Sequence, residues 1–301
     1  MIKICNIDYL SQCVEMAYEQ NNKPAYNCAF CSKSKESIYK DFEYIIRNPN
    51  SFMIGYFIDG ILTGILGCLQ NPDNNWVDCI GPFFKNEWNC EYVKNMFLFA
   101  KTTLSEAVRF NFYFNIKNEN YRQAMGILSA ERQDNEYILV LDKADYRPQR
   151  IKHQVVKYTN SYETELVKLH DDTFPDVYVT GKGIIADIGK TREVFCVLDE
   201  SGSFVGYGVL KYADDTEHIT AEIFAVKKEK RGKGYGWALL NAVVDSAFNK
   251  HNGNAIYLVV EKLNANARDL YYSCGFKLAV ENEAWFLLTS KNPKTLNPAV
   301  H

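Results

Sequence analysis

Two stretches of this 301-residue chain follow the same order of apolar runs and turns, about 145 residues apart. The first begins at residues 52–67 and the second at residues 194–210, each with two β-branched or aromatic runs around a turn signal. That pattern predicts a β-hairpin. A repeat this long is typical of two copies of one domain. The alternative is a single mixed α/β domain whose halves resemble each other by chance.

The parallel continues downstream of each hairpin. A short strand, a helix, a buried strand, a second helix and a closing apolar strand follow, over 76–80, 90–107, 110–116, 118–130 and 137–141, and again over 221–226, 236–250, 255–260, 264–274 and 284–288. This order predicts a mixed, mostly antiparallel sheet flanked by helices, of the α/β (α+β) class. The join falls in the polar stretch 142–150, whose Arg147-Pro148 pair disfavours regular structure. We therefore predict domains 1–147 and 148–301.

Composition limits the possible partners. The net charge is −3, with 47% apolar and 24% charged residues, so no strong positive field is available to attract nucleic acid. No apolar run approaches the roughly 20 residues that span a bilayer, and the N-terminus lacks the apolar core of a signal peptide. We expect a cytoplasmic protein without a membrane partner. The sequence leaves open a monomer or a homodimer.

Nine cysteines raise the question of disulfides or a metal. Their number is odd and the chain is too long to need covalent links, so we expect reduced, mostly buried thiols. Cys28 and Cys31 have the spacing of half a zinc site, but no second pair accompanies them. We predict no metal.

A glycine-rich segment, residues 231–236, lies between an apolar strand and an amphipathic helix. Its three glycines let successive backbone N–H groups turn toward one point, and the helix N-terminus adds partial positive charge. This setting predicts a phosphate site, with added contacts from Arg231 and Lys233. A P-loop is excluded because no Gly-Lys-Ser/Thr follows, and a dinucleotide fingerprint would need a small residue where Trp237 or Leu239 stands.

The spacing of Arg231, Gly234 and Gly236 resembles the Arg-x-x-Gly-x-Gly acyl-CoA motif of the GNAT superfamily of N-acetyltransferases. Segment 264–276 is similar to a second motif of that family at every fixed position, which are Asn264, Ala267, Leu270, Tyr271, Gly275 and Phe276. The resemblance covers roughly residues 151–290. It implies tandem GNAT-like domains, acetyl-CoA as co-substrate, and transfer of an acetyl group to a primary amine of a small molecule or peptide by direct attack in a ternary complex.

The resemblance also implies which residues hold the cofactor. The strand before the glycine loop, 222–226, should be bulged, splay from its neighbour and bond the pantetheine arm, with a backbone N–H near Ala225 or Val226 facing the oxyanion. The expected cofactor contacts are Phe224, Ala225, Val226, Arg231, Gly232, Lys233, Gly234, Tyr235, Gly236, Asn264, Ala267 and Tyr271. Asn264 also reads as a helix N-cap.

Two proton transfers need side chains. Tyr271 occupies the position where many members of the family carry a tyrosine general acid for the leaving thiolate. The alternative for it is aromatic packing, and Tyr272 should pack or face solvent. Glu222 is a possible general base for the incoming amine. Its competitors are a water chain and the side chains of Glu217, His218, Glu261 and His170.

The acceptor pocket of the family is formed by its first helices and their connection, here residues 167–188. His170, Asp171, Phe174 and Tyr178 are the candidate acceptor contacts in that stretch, which also carries Asp172 and Asp176. Carboxylates beside aromatic rings suit a cationic amine. A solvated acidic helix end explains them equally well.

The first half departs from the family pattern. Residues 83–90 contain no glycine where the loop should be, and residues 118–124 begin like the second motif but do not complete it. We expect a degenerate, non-catalytic copy that supports the second half or shapes its acceptor site. The alternatives for the whole chain are a transferase with another acyl-CoA or acceptor type, and an acetyl-CoA-binding module without turnover.

Overall fold

A computed structural model describes residues 1–71, 75–85, 88–104, 108–175, 177–212 and 219–289. The chain forms two compact units. Unit 1 contains residues 1–136 and the described residues from Glu281 onward, and unit 2 contains residues 137–280. No helix in these ranges is long and apolar enough to cross a membrane.

Unit 1 is a sheet with helices on both faces. Its elements are β1 (Ile2–Cys5), α1 (Leu10–Asn21), α2 (Lys35–Arg47), β2 (Phe52–Ile58), β3 (Ile61–Gln70), β4 (Trp76–Phe84), α3 (Cys90–Thr103), β5 (Arg109–Asn115), α4 (Glu119–Leu128) and β6 (Glu131–Arg132). Strands β1 to β4 pair antiparallel in chain order, and β4 pairs parallel with β5. Met53 packs in the core under α1 and α2, while Phe52 and Ile54 pack in the core under α3 and α4, as alternation along β2 requires.

Unit 2 repeats this plan. Its elements are β7 (Glu136–Asp142), β8 (Gln154–Lys157), α5 (Glu163–Thr173), α6 (Gly181–Ala186), β9 (Arg192–Leu198), β10 (Phe204–Lys211), β11 (Thr220–Val226), α7 (Tyr235–Asn249), β12 (Ala255–Glu261), α8 (Ala265–Ser273) and the first residues of β13 (Lys277–Leu288). Strands β8 to β11 are antiparallel, and β11 pairs parallel with β12. One core lies under α5 and α6, and the other under α7. The predicted mixed, mostly antiparallel sheets flanked by helices are confirmed.

The closing strands divide the chain differently from the predicted boundary at residues 147 and 148. Tyr137, Leu139 and Leu141 of β7 are buried in the core of unit 2. Residues 282–288 of β13 pair antiparallel with β5 in unit 1, where Leu287 is buried. Each unit is thus completed by the closing strand of the other sequence half. Local sequence predicts that a strand is buried, but its pairing partner depends on long-range packing.

Candidate active site

Strand β11 carries a β-bulge next to the glycine loop. Ile223 is paired with Val209 of β10, and Ala221 is paired with the very next residue of β10. Glu222 is therefore the extra residue of the bulge. Its side chain lies on the same side of the sheet as α5 and α6, where it meets Arg192 and Tyr178.

The parallel strands β11 and β12 separate beyond their first residues. They pair at Thr220 and Tyr257, and the amide of Tyr257 donates to the carbonyl of Ile219. Within the described parts of both strands, no further pair follows toward Val226. The strand therefore has the bulge and the splay that the resemblance implies, and β11 has no strand partner on that side beyond Thr220.

The glycine loop presents unsatisfied backbone donors. Gly232 and Gly234 have φ of +73° and +86°, a region that side chains with a Cβ rarely adopt. Gly234 is the N-cap of α7 and, without a side chain, makes no capping hydrogen bond to the first turn of that helix. Because the first N–H groups of a helix have no intrahelical partner, those of α7 are available to an anion. Residues 231–234 are all exposed.

Two side chains fix the shape of this loop. The Nε of Arg231 donates to the carbonyl of Val226 (3.0 Å), which ties the loop back to β11. The Nε2 of His153 donates to the carbonyl of Lys233 (2.8 Å), and its ring lies 4.1 Å from that of Tyr235. His153 was not predicted, because it lies 80 residues before Lys233 and outside any motif.

The second motif forms the start of α8. Asn264 caps this helix, with its side-chain oxygen accepting from the amide of Ala267 (3.2 Å), so the N-cap reading holds. Tyr271 lies between Phe224 and Phe276, with ring centroids 6.5 and 6.2 Å away. Burial, with a smaller contribution from Cys274, raises the pKa of Tyr271 to about 12. The phenol therefore stays protonated throughout the neutral range.

The carboxylate of Glu222 is held by a buried arginine. Arg192 donates to both of its oxygens, from Nε at 2.7 Å and from Nη2 at 2.8 Å, and the hydroxyl of Tyr178 donates to Oε1. Burial alone would raise the pKa of Glu222, but these hydrogen bonds and the nearby cations lower it overall. A carboxylate held in this way is a weak base. Arg192 was not predicted; its only sequence signal is a charge at the head of an apolar strand.

His170 is structural. It is fully buried, four residues after Leu166 on the buried face of α5. Its Nε2 donates to the carbonyl of Val179 (2.8 Å), and its Nδ1 accepts from the hydroxyl of Tyr207 (2.5 Å). Both ring nitrogens are occupied, so we leave His170 out of the acceptor contacts and of the candidate bases.

The other candidate acceptor residues differ in what they can offer. Asp171 accepts a hydrogen bond from the amide of Gly181 (3.1 Å), and Phe174 packs against the core under α5. Tyr178 is 55% exposed. Asp176, Glu217 and His218 lie outside the described residues. Of the candidate bases, Glu261 is exposed at the end of β12.

A cavity of unit 2 lies apart from the glycine loop. A cavity of about 500 Å³ borders α7 and β8, and its lining includes Ile151, Phe195 and Ser246 but no residue of the glycine loop. Seven cysteines are buried and Cys90 and Cys274 are partly exposed. In the described ranges, no group of three or more potential metal ligands comes together.

Comparison with known proteins assigns the family. The profile of the Acetyltransferase (GNAT) family matches residues 157–276. An uncharacterized N-acetyltransferase of Methanocaldococcus jannaschii is 34% identical over 113 residues, which cover 35% of this chain and 71% of that protein. This chain belongs to the GNAT acetyltransferase family. As a member of it, the chain is an acyltransferase, and the family-matched residues contain the glycine loop, the β-bulge and α8.

Solved GNAT structures extend the likeness to both units. A tandem GNAT protein from the clavulanic acid biosynthesis pathway matches with a TM-score of 0.68 and 12% identity over 97% of this chain and 99% of its own. A GCN5-related N-acetyltransferase from Sphaerobacter thermophilus matches with a TM-score of 0.73 and 11% identity, over 96% and 95%. At these identities the likeness concerns the fold, and it confirms the predicted tandem GNAT architecture.

Proposed function

We propose that unit 2 transfers an acetyl group from acetyl-CoA to a primary amine of a small molecule or peptide, by direct attack within a ternary complex. This proposal rests on one arrangement: the bulge in β11, the separation of β11 from β12, and the exposed glycine loop follow one another along the chain. Beyond Glu222, β11 makes no strand pair with β12, and the N–H groups at the start of α7 follow in the chain. An extended arm ending in a pyrophosphate fits that layout.

Binding of acetyl-CoA is assigned residue by residue. The backbone of Phe224, Ala225 and Val226 would face the pantetheine arm, and an N–H of this stretch would stabilise the oxyanion, a contribution of several kcal/mol in other enzymes. The pyrophosphate would lie on the loop, whose residues are Arg231, Gly232, Lys233, Gly234, Tyr235 and Gly236. Asn264 keeps its amide nitrogen for the arm because only its oxygen serves as the cap.

Tyr271 is the proposed proton donor to the leaving thiolate. It is protonated at neutral pH and packs on Phe224, a residue of the strand that would hold the arm. Complete transfer from a phenol of pKa about 12 to a thiolate whose acid has a pKa near 8.5 is uphill by about 3.5 pKa units, or roughly 5 kcal/mol. Tyr271 therefore acts first as a hydrogen-bond donor that stabilises developing charge on sulfur.

Unit 1 is proposed to be a non-catalytic copy that supports unit 2. Its helix α3 is already capped, since Asn89 accepts from the amide of Glu91 (2.9 Å). The carboxylate of Glu91 in the first turn would also repel a phosphate. Both features oppose binding of a pyrophosphate at the start of α3, the position in unit 1 that is equivalent to the glycine loop of unit 2.

Steady-state release of thiol from acetyl-CoA tests the proposal. With a panel of primary amines, thiols and alcohols, we expect release that depends on an amine. Thiol release only with other acyl-CoA donors, or only with thiols and alcohols as acceptors, would favour a transferase with another donor or acceptor type. Tight binding of acetyl-CoA without thiol release for any acceptor would favour an acetyl-CoA-binding module without turnover. Tyr271 would then serve only in aromatic packing.

A further inference from the structure

The peptide bond between Lys233 and Gly234 lies at the start of α7 and is held from outside the glycine loop. The Nε2 of His153 donates to the carbonyl oxygen of Lys233 (2.8 Å). We propose that His153 is a positioning residue for the cofactor, which fixes this peptide so that the amide of Gly234 is presented to a phosphate oxygen of acetyl-CoA. This role rests on the acetyl-CoA site proposed above and adds to it a residue that lies outside both motifs.

The geometry of a peptide bond connects the carbonyl of Lys233 to the amide of Gly234. This peptide is trans, since the one cis peptide among the described residues is Gly81–Pro82. The C=O and N–H groups of a planar trans peptide point in opposite directions. Because the carbonyl of Lys233 points at His153, the amide of Gly234 points away from it. No backbone carbonyl of the described residues accepts from that amide.

The loop itself restrains this peptide only weakly. Gly232 and Gly234 lie on either side of Lys233, with φ of +73° and +86°, and glycine has more backbone freedom than any other residue. Rotation of the peptide plane needs only ψ of Lys233 and φ of Gly234 to change, and it would exchange the amide for the carbonyl. A carbonyl oxygen carries partial negative charge and would repel a phosphate. The hydrogen bond from His153 favours the orientation that attracts one.

The ring of His153 is itself well anchored. It packs on Tyr235, with ring centroids 4.1 Å apart, and Tyr235 is buried in the core under α7. The next residue, Gln154, begins β8 and pairs with Leu198 of β9. A Cβ at position 234 would lie 3.4 Å from Nε2 of His153, so the imidazole directly backs that glycine. The donor is thus held between a strand of the sheet and the helix whose N-terminus would bind the pyrophosphate.

Arg231 and His153 restrain the loop at different points. The Nε of Arg231 donates to the carbonyl of Val226 (3.0 Å), before the glycines, and His153 holds the peptide that leads into α7. Two such restraints order the loop before the cofactor arrives. Ordering a flexible loop costs free energy on binding, so a loop that is already ordered binds its ligand more tightly. The contribution of His153 should therefore appear in the affinity for acetyl-CoA.

Calorimetric titration of the full chain with acetyl-CoA tests this role through two substitutions. His153→Phe keeps an aromatic ring against Tyr235 but removes the donor, and it should raise the Kd about tenfold to a hundredfold, the effect of one hydrogen bond to a charged group. His153→Gln lacks the ring but can donate from the place of Nε2, and its Kd should return to within about threefold of that of the unchanged chain. Gln154→Ala, at the exposed neighbouring position, is the control and should leave the Kd unchanged. Thermal midpoints verify that each variant is folded.

The amide proton of Gly234 reports the orientation of the peptide directly. In nuclear magnetic resonance spectra of the full chain with isotope-labelled glycine, saturating acetyl-CoA should move this proton downfield, because an N–H group that donates to a charged oxygen forms a short hydrogen bond. The shift should be lost in His153→Phe and kept in His153→Gln. The amide of Gly202, which already donates to the carbonyl of Asp199 (2.9 Å) in a hairpin turn, is the internal reference and should not move.

Failure of this role and failure of the proposed function give different results. No binding of acetyl-CoA by the unchanged chain would overturn both. Binding without thiol release for any acceptor would overturn acetyl transfer but not the role of His153, which binding alone decides. An equal Kd for the unchanged chain and His153→Phe, or a Gly234 amide proton that does not move in the unchanged chain, would overturn the role of His153 alone. A raised Kd that His153→Gln does not restore would make the ring a structural support and would also overturn it.

Discussion

Tyr271 and Tyr272 are adjacent in α8, but their surroundings differ. Tyr271 packs between Phe224 and Phe276, whereas Tyr272 is 40% exposed. We expect Tyr271→Phe to lower kcat about 10²-fold or more, the usual size of a proton-donor contribution, and to change the Kd of acetyl-CoA by less than about threefold. Tyr272→Phe is the matched control. Equal turnover by both variants, measured by thiol release and calorimetry, would contradict the role of Tyr271.

A second residue-scale prediction concerns Glu193, which follows Arg192 and faces the other side of the sheet. Its carboxylate accepts from Ser246 (2.7 Å), Lys250 (2.9 Å) and His251 (3.1 Å), and pairs with Lys157 (2.5 Å). Burial alone would raise the pKa of Glu193, but these four partners lower it from 4.5 to about 2. Because the folded-state pKa lies below the ordinary value, the ionised carboxylate stabilises the fold above about pH 4.5. That contribution is lost as the pH falls toward 2.

Glu193→Gln should therefore lower the free energy of unfolding by about 1–3 kcal/mol at pH 7 and by much less at pH 3. Urea denaturation at the two pH values measures the difference. Glu200→Gln, at an exposed turn position, should have little effect at either pH. A loss of equal size at pH 7 and pH 3 for Glu193→Gln would show that its charge does not matter.

Local sequence constrains glycines and capping residues more strongly than it constrains the surroundings of charged side chains. Glycines and capping residues are dictated by local backbone geometry, so the positions of Gly234 at the start of α7 and of Asn264 as the cap of α8 could be predicted from local sequence. The environment of a charged side chain depends on residues far away in the chain. Arg192 pairs with Glu222, which lies 30 residues later in the chain. No local sequence pattern predicts that pair.

The start of α7, where no side chain caps the helix, is the proposed binding site for the pyrophosphate of the cofactor. Gly234→Asp adds a carboxylate where the pyrophosphate would lie and should abolish measurable acetyl-CoA binding. Because Gly234 has φ of +86°, the substitution also costs about 1–2 kcal/mol of strain. Gly202→Asp is a matched control, since Gly202 has φ of +79° in an exposed hairpin turn. If both variants bind acetyl-CoA equally well by calorimetry, the loop is not the phosphate site.

Elements with strong periodicity were predicted closely. The helix predicted over 236–250 is α7 (Tyr235–Asn249), and the strand predicted over 255–260 is β12 (Ala255–Glu261). The short strand β8 was missed, because Gln154–Lys157 has four residues and no turn signal at either end. Its pairing with β9 stabilises it as an edge strand, which local propensity does not reveal.

For the whole molecule, the exchanged closing strands determine which fragments can fold. Unit 2 needs β7, whose Tyr137, Leu139 and Leu141 are buried in its core. A fragment 148–301 lacks them and should lose about 5–9 kcal/mol of burial free energy, at about 1.5–3 kcal/mol for each side chain. We expect fragment 137–280 to unfold cooperatively and fragment 148–301 to be unfolded, as measured by circular dichroism during heating. A cooperative, equally stable 148–301 would contradict the division into units.

The repeat predicted two domains but not this exchange. Both closing strands are short apolar runs in the sequence, at residues 137–141 and 284–288, so their local patterns do not distinguish them. Which sheet each strand joins depends on contacts more than 100 residues away, such as Leu287 opposite Phe110. The register and the partner of each closing strand are set by tertiary packing, and no short stretch of the sequence shows that packing.

We propose that this chain has two GNAT units but one acetyl-CoA site, at the loop of α7. Calorimetric titration of the full chain with acetyl-CoA tests it most directly. We predict a stoichiometry of one per chain, because α3 in unit 1 is capped by Asn89 and α7 in unit 2 is not capped by a side chain. A stoichiometry of two, or no binding at millimolar acetyl-CoA, would contradict the account.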